Sequence, residues 1–494
     1  MKLKTFLIAI RAFLLVGALI ATIKVEYAKA DGTIYIRPDG FVYPSTAPIN
    51  RYGDVYTLID NIINSSIVVL RDNIVLDGAG IYRIEGPPEY PSKGIDLTGR
   101  NNVTIRNMEI RSFYFGIFLN MTANIRINGI VANRTGIYGW DSSAIIIHGN
   151  NFPRGYIDIN YYCSNIIASE NMISDGIISV GSNSTIYRNV VSGGFIDVGS
   201  DNIVCENNVT NSWADGISMG SRNEVFRNNV ANNSRYGIHV WWDGKYNIIY
   251  NNNIVNNSWA GIYLDRADEN AIFHNNFINN GNNAIADPEA DLNLFDAGYP
   301  AGGNYWSDYA GVDEKSGRYQ DQLGSDGIGD TPYIIPEYGI GVPEHSDNYP
   351  LMGPINIFEA GIWGETEYFV EVVSNSTVSG FYFNPAEGPF MKFNVSGVTG
   401  TGFCRVAIPK DLLWVEDGQW NILVNNQPTN YMLFENEDFN YLYFTYNHST
   451  KTVLVQGTNV IPESPTAALL LAFLVITVIP AVLIKKKHTR KTTI

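Results

Sequence analysis

From about residue 100 to residue 290, hydrophobic positions alternate with polar ones in short runs, and Asn or Gly closes each run. Ile238, Val240 and Trp242 fall on one side of such a run, His239 and Trp241 on the other. A period of two is the pattern of a half-buried strand, and the stripe of an amphipathic helix is missing. The runs themselves repeat. Asn207-Asn208-Val209, Asn228-Asn229-Val230, Asn252-Asn253-Ile254 and Asn275-Asn276-Phe277 line up. Gly216-Ile217, Gly237-Ile238, Gly261-Ile262 and Ala284-Ile285 follow them. Looser copies lie upstream, so that Asn107, Asn128, Asn151, Asn171, Asn189, Asn208, Asn229, Asn253 and Asn276 recur every 18 to 24 residues. Leucine-rich repeats of that length would place leucine at fixed sites and add a helix. Three short strands and three turns use about this many residues, which is the coil of a parallel β-helix.

A single coil cannot bury its apolar side, so coils stack about 4.8 Å apart and share a core. An asparagine at the same turn of each coil can bond to the coils above and below, and the ladder is read as structural. Beyond residue 354 the repeat stops. Alternating segments at 368–373, 380–383, 391–395, 403–408, 420–424, 441–446 and 452–455 predict a small immunoglobulin-like β-sandwich, read as a spacer.

The ends have a different character. Lys2 and Lys4, an apolar run from Ala12 to Ile23 and Ala28-Lys29-Ala30 predict a cleaved secretory signal over 1–30. Thr466 to Ile484 is nineteen residues without a charge, followed by Lys485, Lys486, Lys487, Arg490 and Lys491. That predicts a transmembrane helix with a cytoplasmic tail and the bulk of the chain outside. Pro462 and Pro465 mark a stalk over 458–465. The chain carries −16, and without the basic leader and tail the remainder carries −25. Such a surface argues against nucleic acid as a partner and for solubility or cation binding. Three cysteines, Cys163, Cys205 and Cys404, form no disulfide framework. Eleven Asn-x-Ser/Thr triplets offer glycan acceptors on an exported chain.

The repeats resemble the coils of pectate-lyase-like right-handed parallel β-helices, especially the NosD-like group of archaeal and bacterial surface or periplasmic proteins. Asn73-Ile74-Val75-Leu76-Asp77-Gly78-Ala79-Gly80 resembles the first coils of that group. Gly303-Asn304-Tyr305-Trp306-Ser307-Asp308-Tyr309, Asp326-Gly327-Ile328-Gly329-Asp330-Thr331-Pro332-Tyr333 and Asp347-Asn348-Tyr349-Pro350-Leu351 resemble its C-terminal end. The resemblance covers about residues 33–354. It implies a β-helix over 31–284 and a cap over 285–354, while the strand pattern gives the sandwich over 355–457 and the apolar run the membrane anchor over 466–484. It fixes no activity, since this fold hosts lyases, hydrolases and plain binders.

Aligned from their closing turns, Asp158, Ser179, Asp197, Ser218, His239 and Tyr263 take equivalent outward positions, with Trp241 and Asp265 on the next column. Asp158 and Asp197, two coils apart at about 9–10 Å, approach the upper separation of an inverting acid/base pair. Asp158, Asp197 and His239 are therefore the catalytic candidates, and Trp241, Tyr263 and Asp265 the carbohydrate-binding ones. Neither the paired aspartates of polygalacturonases nor the basic residues and calcium cluster of pectate lyases are visible. Asp321, Asp326 and Asp330, interleaved with Gly324, Gly327 and Gly329, offer the oxygens and the turning backbone that calcium needs. NosD itself is linked to copper, yet the six histidines are scattered and no Met-rich tract exists, so copper handling is not expected. The reading is a cell-surface protein that binds a polysaccharide or envelope glycan, or serves adhesion. The alternative is a surface polysaccharide lyase or glycoside hydrolase.

Overall fold

The computed structural model describes residues 32–337, 345–416 and 419–461. The predicted signal over 1–30, the membrane helix over 466–484 and the basic tail lie outside the described residues. No described helix is long and apolar enough to cross a membrane. The fold is all-β, a right-handed-type β-solenoid with a C-terminal β-sandwich. The chain divides into two compact units. One runs to Ile203 and includes Asn207–Ser212; the other holds Val204–Glu206 and everything from Trp213 onward.

The first unit opens with two antiparallel hairpins, Gly32–Ile36 with Val42–Tyr43 and Ile49–Tyr52 with Val55–Leu58. Parallel coils follow. Leu76, Ile105, Ile127, Ile147 and Ala168 stand in register on successive strands, all fully buried. Such in-register stacks of branched side chains are the core of a solenoid, one layer per coil. The asparagine ladder begins at Asn150. Asn150, Asn171 and Asn189 each donate a side-chain N–H to the next rung, 2.9, 2.9 and 3.0 Å, ending on Asn207. Asn107, Asn128 and Asn151 are not rungs. Asn151 is exposed, Asn128 pairs with His148 along a strand, and Asn107 is a left-handed turn residue at φ 54°.

In the second unit three strand columns repeat. One is Ile217–Met219, Tyr236–Val240, Ala260–Leu264 and Ala284–Ala286. Three asparagine ladders run along it: Asn223, Asn247, Asn270 and Asn293; Asn228, Asn252, Asn275 and Asn304; Asn233, Asn257 and Asn280. The rung is the first member of each Asn-Asn pair. Alternation puts Asn228 and Val230 inside, and therefore Asn229 outside. Glycine precedes Ile217, Ile238 and Ile262, and at Gly237 a Cβ would lie 2.6 Å from Gly261 O and 2.7 Å from Asn257 Nδ2. Trp242 does not point inward with Ile238 and Val240. The strand ends at Val240, and Trp242 lies in the turn with Arg266 over its ring, 70% exposed.

The three C-terminal motifs of the family resemblance meet as a lid on the last coil. Trp306 is stacked between Phe277 and Tyr333, with ring centroids 4.5 and 4.4 Å away. The buried Asp347 accepts from Trp306 Nε1 at 2.8 Å and from Asn304 N at 2.7 Å. The sandwich has two antiparallel five-stranded sheets around Val370, Met391, Phe393, Val406, Ile422, Phe444 and Val453. It is docked on the coils of its own unit. Glu371 meets His274 at 3.1 Å and Asn251 at 2.9 Å. Arg405 is buried, donating to Asp326 O and Pro300 O, with its guanidinium over Tyr441. Asn459–Val460, assigned to the stalk from sequence, pairs with Leu413–Trp414 and belongs to this module.

Candidate functional site

The outward positions of the strand column just described carry polar and aromatic side chains. In the second unit Ser218, His239 and Tyr263 are adjacent in register. Asp215 and Tyr236 stand just before the Gly-Ile pairs of their coils, and Arg235 and Trp259 one residue earlier or at the matching turn. Backbone bonds from Arg235 N to Ala214 O and from Trp259 N to Arg235 O stack those turns. Asp215 is nearly buried. It accepts from His239 Nδ1 at 3.0 Å, from Ser218 Oγ at 3.3 Å and from Tyr236 N at 3.4 Å, with Arg235 at 3.8 Å. Burial works to raise its pKa, but the hydrogen bond and charge of His239, then Arg235, outweigh that and hold it below the usual carboxylate value. A carboxylate on Nδ1 makes that nitrogen the donor and leaves Nε2, in the neutral ring, as an acceptor. His239 Nε2 is buried without a hydrogen-bond partner. The Asp265 carboxylate lies 3.9 Å from it.

Around this dyad the rings pile up. Tyr236 stacks on Tyr263 at 4.7 Å, Tyr263 on His239 at 5.4 Å, and Trp259 meets Tyr236 edge-on at 5.8 Å. Arg235 lies over both Tyr236 and Trp259. Tyr263 is thus no open platform. It is only 9% exposed, because the rings on neighbouring coils cover its faces. Exposed aromatic surface in this unit includes that of Trp259, 56% exposed, and Trp241, 37% exposed.

The structure places Asp158 and Asp197 on one column of the first unit, with Ser179 in register between them. Ser179 accepts from Asn160 and donates to Asp197 at 3.2 Å, so the space between the carboxylates is filled by a side chain. Burial alone pushes the Asp158 carboxyl up, and its Oδ1 is buried without a hydrogen-bond partner. His239 belongs to the second unit. Asp215, Arg235, Tyr236 and Trp259 were not singled out from sequence. Their signal was the two positions before each Gly-Ile pair.

In the cap, Asp326 accepts from Gln320 and from Ile328 N, and Asp330 accepts from the amides of Glu314 and Lys315. Asp321 is exposed. Asp313 accepts from Asp326 N and Gly327 N, and burial, with Asp326 and Asp330 nearby, pushes it to about 7. Among the described residues no three His, Cys, Asp or Glu side chains are grouped to hold a metal ion.

The profile of the family described as "Periplasmic copper-binding protein (NosD)" matches residues 154–311. The coils from residue 154 on and the cap motif ending at Tyr309 are therefore similar to that family, and the motifs at 73–80, 326–333 and 347–351 lie outside the match. Among solved structures, the periplasmic alginate epimerase AlgG is similar at 14% identity, over 54% of this chain and 83% of that chain, with a TM-score of 0.34. The Azotobacter vinelandii mannuronan C-5 epimerase AlgE4 A-module is 12% identical over 49% of this chain and 85% of that one, TM-score 0.34. A hyperthermoactive exopolygalacturonase from Thermotoga maritima is 12% identical over 53% and 78%, TM-score 0.26. No curated protein matches the chain. Among the described residues the copper in the family's description finds no matching donor set: His148 faces Ser169, His239 faces Asp215, His274 faces Glu371 and His448 faces Ser376.

Proposed function

We propose that this is an extracellular β-helix protein that binds a polysaccharide at the His239 face of its second unit. His239 Nε2 carries the reading. A buried polar nitrogen with no partner costs free energy that a sugar hydroxyl would recover. Trp259 and Trp241 supply exposed ring faces for the apolar side of a sugar, and Arg235 and Asp265 supply charge at the rim. Asp265, about a third exposed, is the side chain that turns aside to admit the hydroxyl. The extracellular location is supported by the leader, the hydrophobic segment over 466–484 and the acidic composition. On this reading that segment anchors the protein at the cell surface. The test is binding of the full-length protein to a polysaccharide panel. His239→Ala and Trp259→Ala should each weaken the bound polysaccharide at least tenfold, while Tyr52→Ala, an exposed ring of the first unit, leaves it unchanged. Retained affinity in both site variants refutes the reading.

A second reading has its own observation, the 3.0 Å Asp215–His239 contact behind an unpartnered Nε2 acceptor. A carboxylate that orients an imidazole makes it a competent proton acceptor. On that reading the protein is a polysaccharide lyase or hydrolase with His239 as base. Release of unsaturated or reducing ends, lost in His239→Ala and shifted in pH profile by Asp215→Asn, would establish it. Binding without release leaves the first reading standing.

A further inference from the structure

One corner of the first unit brings two left-handed arginines together. Elsewhere left-handed positions hold Asn, as at Asn107, Asn124, Asn165 and Asn183, and also Arg, as at Arg188, Arg222, Arg227 and Arg266. At this corner they hold Ser112, Arg134, Arg154 and Asp175, with φ between 49° and 59°. The four follow one another on successive coils. Arg111 registers with Asn133 and Pro153 with Ser174, and Arg134 N and Arg154 N donate to Pro153 O and Ser174 O. Two arginines in left-handed backbone, one rung apart at about 4.8 Å, are unfavourable for backbone and charge alike.

They line a groove of about 440 Å³ together with Glu85, Arg111, Ser112 and Asn133. The other charges there are already matched. Arg83 pairs with Glu85 at 2.9 Å, and Arg111 contacts Glu109. Arg154 reaches only Asp175, at 3.9 Å with both side chains about two-thirds exposed. Among the described residues no carboxylate pairs with Arg134. One guanidinium without a carboxylate and one with only a long, exposed contact to Asp175 thus share a groove in a chain of net charge −16.

We infer that this groove is a second binding site, for the carboxylate or sulfate groups of an acidic polysaccharide. A guanidinium presents a fork of donors that matches such oxyanions two at a time. Two forks on adjacent rungs suit a polymer that carries charge at every sugar, better than they suit a lone ion. The inference stands on residues that the His239 reading does not use, and it adds the charge class of the ligand.

The experiment measures affinity of the full-length protein, without a glycan at Asn133, for a polyuronate, a sulfated polysaccharide and a neutral glucan, at low and high salt. Arg134→Gln with Arg154→Gln should lower affinity for at least one acidic polymer tenfold or more and flatten its salt dependence. Arg134→Lys with Arg154→Lys should keep the salt dependence and lose the bidentate part. Both sites are exposed, and an unchanged melting temperature verifies the fold. Unchanged affinity and salt dependence for both acidic polymers in the Gln pair overturns the inference. So does binding of inorganic sulfate or phosphate alone with no polymer bound. The His239→Ala variant runs in parallel, and its failure to affect binding bears on the His239 reading only.

Discussion

Replacing Asn252 with alanine probes the ladder where its bonds can be counted. The side chain is 1% exposed. Its Oδ1 accepts from Asn228 N at 3.0 Å and Asn228 Nδ2 at 2.9 Å. Its Nδ2 donates to Val225 O at 2.8 Å, Tyr250 O at 3.0 Å and Asn275 Oδ1 at 2.9 Å. Alanine leaves the Asn228 backbone N–H buried without its acceptor, at a cost of about 1–3 kcal/mol, and forfeits further bonds worth about 1 kcal/mol net each. Asn228 Nδ2 keeps Val204 O and Phe226 O, so part of the loss is absorbed. The expected destabilisation is about 3–5 kcal/mol, large for a single substitution. Asn253→Ala, which removes one side-chain bond to Asn229 at the surface, should cost under about 1 kcal/mol. Urea unfolding followed by tryptophan fluorescence measures both, and hydrogen exchange at Asn228 reports the local opening. A loss below about 1 kcal/mol for Asn252→Ala would refute the ladder as a main support of the coils.

The buried contact between coil and sandwich gives stability a pH window. Burial opposes the charge on His274, but Glu371 raises its pKa above 6.5, so its share is full below 6.5 and fades as pH rises through the raised value. Burial likewise opposes the Glu371 charge, but His274 lowers its pKa below 4.5, so its share is present above 4.5 and lost on acidification through the lowered value. Asp313, raised to about 7, adds to the loss toward alkaline pH. The Asp313 share is full only below 3.8 and declines until about 7, so melting should fall as pH rises from about 4.5 through 7, and a higher melting temperature at pH 8 than at 5.5 contradicts this. Arg405→Ala removes a fully buried cation that ties Asp326 O and Pro300 O to Tyr441, and should cost about 3–5 kcal/mol. Limited proteolysis should then cut first between the cap and the sandwich. Calcium titration tests Asp321, Asp326 and Asp330. Two of these already serve backbone amides of the loop, so added calcium or EDTA should leave the melting temperature within about 1 °C; a rise of several degrees would assign a calcium site there.

Much of the coil was legible because a solenoid writes its period into the chain. The Asn-Asn pairs and Gly-Ile pairs mark the turns directly, and the burial of Ile217, Ile238 and Ile262 follows from alternation. Which asparagine of a pair is the rung was not legible, since that depends on where the strand starts. The strands Ile355–Trp363 and Tyr431–Glu435 escaped because both are edges of their sheet, with mixed burial that blurs alternation. At the site, His239 was found as an outward residue of a strand. Asp215 was missed because it sits in a turn and reaches back toward the next coil. Tyr263 was placed correctly but misjudged in exposure, since outward position does not reveal that neighbouring rings cover it.

The measurement that bears most directly on the central claim is a crystal structure with an oligosaccharide from the polymer that binds best. The account predicts a sugar ring against Trp259 or Trp241, with a hydroxyl within hydrogen-bond distance of His239 Nε2 and Asp265 turned aside. An oligosaccharide bound only elsewhere, with His239 Nε2 still unpartnered, would contradict it.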